Sequence, residues 1–98
     1  MSPNHKLTRT LKGRAIADYE SEGGALTLRF RDQAAMRVKG APQGSMAVSQ
    51  GGQVTQVFEQ GDQLTLRFDN HTNLLIKLDN PGNAVAVRDG ENKVLYLG

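Results

Sequence analysis

The chain has 98 residues, no cysteine and a net charge of +2, which is one domain with a single core, since a chain this size buries roughly two-thirds of its unfolded surface. The missing cysteine excludes disulfides, zinc–thiolate sites and thiol nucleophiles. No apolar run approaches the ~18 residues of a membrane span, and Met1 to Lys6 lacks the apolar stretch of a signal peptide, so a cytoplasmic protein with no membrane partner is expected.

In chain order, residues 1–12 come first and read ambiguously. Leu7, Leu11 and Ala15 have helical spacing and Asn4 is a capping residue type, but Thr8, Thr10 and Gly13 weaken a helix. The stretch is expected to be a flexible arm or an extra edge strand. From residue 13 onward the chain reads as strand. Runs at 14–20, 25–31, 35–39 and 45–49 are followed by runs at 53–59, 63–69, 73–78 and 84–88. Leu26, Leu28 and Phe30 alternate with Thr27, Arg29 and Arg31, the period-2 signature of a half-buried strand. Leu64, Leu66 and Phe68 do the same against Thr65, Arg67 and Asp69. Polar breaks at 32–35 and 69–73 separate these runs from the next alternating ones, so each pair reads as a hairpin. A ninth run, Lys93 to Leu97, follows the Asp89-Gly90 turn.

The second half echoes the first. Leu26 to Phe30 returns unchanged as Leu64 to Phe68, 38 residues later. Ile16, Tyr19, Glu22 and Gly23 match Val54, Val57, Gln60 and Gly61, while Met36, Val38 and Lys39 match Leu74, Ile76 and Lys77. After one inserted residue, Pro42 to Val48 matches Pro81 to Val87. A fixed-period echo across most of a chain is the mark of a repeated structural unit. The organisation read from it is repeat 1 at 13–50, repeat 2 at 51–90 and a terminal strand at 91–98.

Ile16 and Tyr19, like Val54 and Val57, are three apart, so strict alternation cannot place both on one face. A β-bulge or a bent strand is expected in both copies, with a single helical turn as the competing form. The predicted fold is all-β: eight to nine antiparallel strands from an internally duplicated four-stranded unit. These form a small barrel or a two-sheet sandwich with pseudo-two-fold symmetry. The expected core is Leu26, Leu28, Phe30, Met36, Val38, Leu64, Leu66, Phe68, Leu74, Ile76, Val85 and Val87, and most of the aromatics are expected there too.

Charge is uneven. Residues 1–39 carry eight Lys/Arg against four acids, whereas 40–98 carry four against six. Arg29, Arg31, Arg37 and Lys39 alternate with inward residues and are expected to cluster on one outer face, a candidate nucleic-acid or anion site; the competing reading is a solvated face that keeps the sheet soluble. Base-stacking aromatics are missing from that face.

Leu75 is out of phase with its inward neighbours, and Lys93 to Leu97 is apolar on both sides, with Val94 and Tyr96 expected on one face and Leu95 and Leu97 on the other. Leu75, Leu95 and Leu97 are therefore candidates for self-association, with a dimer favoured. The alternative for the terminal strand is that it closes a barrel against the first strand.

Material for catalysis is scant. His5 and His71 stand alone, Asp69, Asp79 and Asp89 fall at strand ends where turn-forming Asp belongs, and Gly23-Gly24 and Gly51-Gly52 precede no helix. No catalytic residue, metal site or cofactor is expected. The reading is a non-enzymatic β interaction module that self-associates through its outer sheet face or terminal edge. The alternatives are a nucleic-acid-binding protein using the basic face and a small-molecule-binding barrel.

Overall fold

The computed structural model describes residues 2–43 and 52–98. In chain order the elements are β1 (Ser2–Pro3), α1 (His5–Leu11), β2 (Ile16–Glu22), β3 (Ala25–Phe30), β4 (Ala35–Gln43), β5 (Val54–Gln60), β6 (Gln63–Phe68), β7 (Asn73–Leu78), β8 (Val85–Arg88) and β9 (Val94–Leu97). Among the described residues the protein is all-β apart from one short helix. The strand expected at 45–49 lies outside the described residues.

All the strand pairings are antiparallel, in the order β1-β5-β6-β7-β4-β3-β2, with β8 added to β4 and β9 to β8. The strand that joins the two halves is β4. Its first part, Ala35 to Lys39, pairs with β3, and Ala35 to Val38 also pairs with β8. Its last part, Gly40 to Gln43, pairs with β7. The exchange of partners happens at Gly40, where a Cβ would lie 2.1 Å from the carbonyl oxygen of Lys77. Only a residue without a side chain permits that approach.

Closure into a barrel does not occur among the described residues. The β8–β9 hairpin attaches to β4 on the edge opposite β3, ahead of β7 on that same edge, and β9 pairs with β8 alone. At the boundary the Lys39 amide donates to the Ala84 carbonyl at 2.8 Å and the Lys39 carbonyl accepts from the Asp79 amide at 2.9 Å. The barrel expectation, and with it closure by the terminal strand, is thereby corrected.

The two hairpins have the same register. In β2–β3, Ile16 faces Phe30, a shift follows, and Asp18↔Arg29 runs on to Glu22↔Ala25. In β5–β6, Val54 faces Phe68, the shift recurs, and Gln56↔Arg67 runs on to Gln60↔Gln63. This is the irregularity that the three-residue spacing of Ile16/Tyr19 and Val54/Val57 required. The following turns also agree: Gln33 and His71 have φ of 73° and 65°, and the Phe30 and Phe68 amides donate to the Ala34 and Thr72 carbonyls at 2.9 Å.

All twelve expected core residues are buried in one cluster, joined by Leu7, Leu11, Ile16, Val54, Val57 and Leu78 among others. Two of these additions come from the helix, which replaces the expected arm or edge strand over His5–Leu11. Asn4 caps it, its Oδ1 accepting from the Leu7 amide at 3.0 Å. The threonine that lowers helix propensity is used in tertiary contact instead. Thr8 Oγ1 accepts from the Val57 amide at 2.9 Å and donates to the Val57 carbonyl at 3.3 Å. Leu7 and Leu11, one turn apart, are fully buried. Together with β1, paired to β5 at Ser2↔Glu59 and Pro3↔Phe58, the helix covers the outer edge of β5.

Candidate functional site

Residues facing one another across antiparallel strands share a face, so the register lays out the outer surface row by row. On the side of β2, β3, β4, β8 and β9 away from the core, one row reads Glu20, Thr27, Arg37, Ala86, Leu97. The neighbouring row reads Asp18, Arg29, Ala35, Arg88, Val94, and the row on the other side begins Glu22, Ala25, Lys39. An acidic strand, β2, thus stands beside small residues, then cations on β4, then apolar side chains on β9.

The four cations singled out from sequence do not form one cluster. Arg29 is held by the β2 carboxylates, with Nη1 2.9 Å from Asp18 Oδ1 and Nη2 2.9 Å from Glu20 Oε2. These hydrogen bonds, Asp18 first, raise the guanidinium pKa above its ordinary value. Arg29 in turn holds the Glu20 carboxyl below the usual carboxylate range. Arg31 is exposed beyond the end of β3, where its amide donates to the Ala15 carbonyl at 2.9 Å. Arg37 and Lys39 remain together on β4, exposed and without an ion pair among the described residues. Three open depressions of about 370, 240 and 490 Å³ adjoin on this face, and Arg37 lines all of them. Their floor includes Ala25, Thr27, Ala35 and Ala86, side chains too small to fill the space between charged neighbours.

The three self-association candidates have separate fates. Leu97 is 64% exposed and lines the same depression as Arg37 and Lys39. Leu95 is half-buried against the core. The register shift in β8–β9 sets Arg88 opposite Val94 and Ala86 opposite Leu97, so Val94, 41% exposed, shares the outer face with Leu97. The expected pairing of Leu95 with Leu97 is corrected by that shift. Tyr96 turns inward, and its hydroxyl accepts from Asn4 Nδ2 at 3.1 Å. Leu75 is half-buried on the other half of the sheet, in the row Phe58, Thr65, Leu75. Arg67 lies over the Phe58 ring, 4.9 Å from its centroid. Thr65 is buried between its neighbours, and its hydroxyl has no partner among the described residues.

Sequence reasoning missed the acidic strand and two of the aromatics. Asp18, Glu20 and Glu22 recur at every second position, a signal of one charged strand face that needed only the neighbouring strand to acquire meaning. Most of the aromatics are expected in the core, but Tyr19 is 41% exposed and Phe58 is on the outer face. No cluster of three or more His, Cys, Asp or Glu suited to a metal ion occurs among the described residues, and no helix is long and apolar enough to cross a membrane. The site belongs to a small all-β protein with one chemically divided outer face. Against protein-family models, curated proteins and solved structures, the chain finds no match.

Proposed function

We propose that the chain is a non-enzymatic interaction module that self-associates through the outer face of β2–β3–β4–β8–β9 and its terminal strand. The observation that carries this reading is Leu97, a large apolar side chain 64% exposed on a strand that, among the described residues, is paired on one side only. Val94 stands on the same face, so the exposure is not a single scattered side chain. An apolar pair beside Arg37 and Lys39 suits a protein surface, which combines apolar anchors with charged neighbours that set orientation. The basic residues serve this role better than nucleic-acid binding, because Arg29 is already neutralised and Arg31 stands apart.

The same reading takes the module to be an internal duplication with a pseudo-two-fold arrangement. Supporting it are the shared hairpin registers and two contacts between positions 38 apart. Ala15 pairs with Gln53, and Gly40 pairs with Leu78. Antiparallel pairing of a residue with its own counterpart is what a two-fold axis between the halves requires. Duplication accounts for the common core, and divergence outside it leaves one half free to bind.

Light scattering on the purified chain tests the self-association. The wild type is expected above the mass of one chain, and Leu97→Ser is expected to shift the equilibrium toward monomer. A wild type that is monomeric throughout, or a Leu97→Ser variant that associates as well as wild type, removes Leu97 from the account.

A further inference from the structure

We infer that the second copy docks on this face with its β2 lying over β4, Glu20 opposite Arg37 and Glu22 opposite Lys39, in both directions across a two-fold axis along β3. The inference rests on the self-association reading above and adds the register and chemistry of the contact. Three features of the face lead to it.

The first is charge order. The carboxylates lie on β2 and the cations without an ion pair among the described residues lie on β4, with β3 midway between them. A two-fold axis parallel to β3, running between two facing sheets, carries the strand on one side of β3 onto the strand on the other. Acids then meet cations twice. An axis perpendicular to the strands sets β2 over β2 instead and opposes carboxylates to carboxylates, so the charge pattern selects one arrangement.

Register is the second. Rotation about an axis along the strands preserves position along them, so each row meets its own copy. Glu20 and Arg37 belong to one row through Thr27, and Glu22 and Lys39 to the next through Ala25. Both charge pairs therefore match without any sliding of one sheet on the other.

The third is the floor. The residues on the axis are Ala25, Thr27 and Arg29, the first two small enough for two sheets to approach to the ordinary face-to-face spacing of ~10 Å. Arg29 also meets its counterpart, but Asp18 and Glu20 already hold it at 2.9 Å each. Beyond Arg37 in the same row come Ala86 and Leu97, so the exposed leucine flanks the contact two strands, roughly 10 Å, beyond the partner's β2. Three strands roughly 4.8 Å apart make a narrow contact, at the small end of specific interfaces. Its strength depends on its charges, and salt weakens it.

Sedimentation equilibrium on two charge-reversed variants provides the test. Arg37→Glu/Lys39→Glu and Glu20→Lys/Glu22→Lys alter exposed side chains only, and circular dichroism checks that both fold as wild type does. Each is expected to raise the dimer dissociation constant at least about tenfold at low salt. Mixed in equal amounts, the two variants are expected to form a heterodimer about as tight as the wild-type dimer, because every reversed charge then faces a reversed charge. A wild-type dimer indifferent to both reversals overturns this docking while leaving self-association intact. So do weakened variants that the mixture fails to rescue. A wild type that is monomeric at all concentrations overturns both.

Discussion

Glu20, Thr27 and Arg37 form one row across β2, β3 and β4; at the same offset, the row across β5, β6 and β7 is Phe58, Thr65 and Leu75. The threonine is kept and its flanks change from ion-forming to apolar. The edges differ as well. On β5, Val57 is fully buried beneath α1, which grips its backbone through Thr8. On β2, the equivalent Tyr19 is exposed, and so are all of its strand neighbours from Ala17 to Glu22. Apart from Tyr19 and Val57, the inward residues of the two hairpins are alike, whereas their edges differ: among the described residues one is covered by the chain's own helix and the other is exposed and acidic. Charges on an open edge also discourage indiscriminate strand pairing, which at β2 favours the face-to-face contact proposed above.

The sharpest way to break this comparison is to attack what the halves share. Leu28→Asp and Leu66→Asp each put an unpaired charge into the common core, at a cost of several kcal/mol, and both are expected to abolish the folded far-ultraviolet circular dichroism signal. If either variant stayed folded, its half would not share the core as described. Next in size is the joint between the halves. Gly40→Ala forces a methyl group against the Lys77 carbonyl and is expected to cost about 2–3 kcal/mol in urea denaturation.

The edges give a smaller, paired effect. Val57→Ala is expected to lose about 2 kcal/mol by opening a cavity beneath the helix, while Tyr19→Ala changes stability by less than about 0.5 kcal/mol. Equal losses at the two positions would mean that β2 is as well covered as β5. Smallest is Glu20→Gln. Arg29 lowers the folded-state pKa of the Glu20 carboxyl, so the unfolded chain takes up that proton more readily. The stability this adds is present above the ordinary carboxylate range and is lost as pH falls through the folded-state value. Because the Glu20 side chain is exposed, solvent screens the pair, and the thermal midpoint of Glu20→Gln at neutral pH is expected to match wild type.

Much of the core was legible because strand alternation is a local signal. Leu26, Leu28 and Phe30 state their own face, and the repeat states it twice. The bulge was legible for the same reason, since the three-residue spacing of Ile16 and Tyr19 recurs at Val54 and Val57. The helix was not, because what makes Thr8 acceptable there is the backbone of Val57, 49 residues away. Leu7 and Leu11 had the right spacing, but only burial against β5 favours the helix over an extended arm. The outer face was half legible. Inward neighbours correctly sent Arg29, Arg37 and Lys39 outward, yet alternation says nothing about the next strand, and it was β2 that turned Arg29 from a free cation into a paired one. The grouping of Val94 with Leu97 depends on a register shift against β8 that no alternation in Lys93 to Leu97 announces.

The most direct measurement is the mass of the wild-type chain by sedimentation equilibrium across a concentration series, at low and at high salt. A mass rising from 10.7 kDa toward twice that value at low salt, with the rise suppressed by added salt, is the expected result for a face whose acids and cations meet in a second copy. A mass of one chain at every concentration and salt would contradict it.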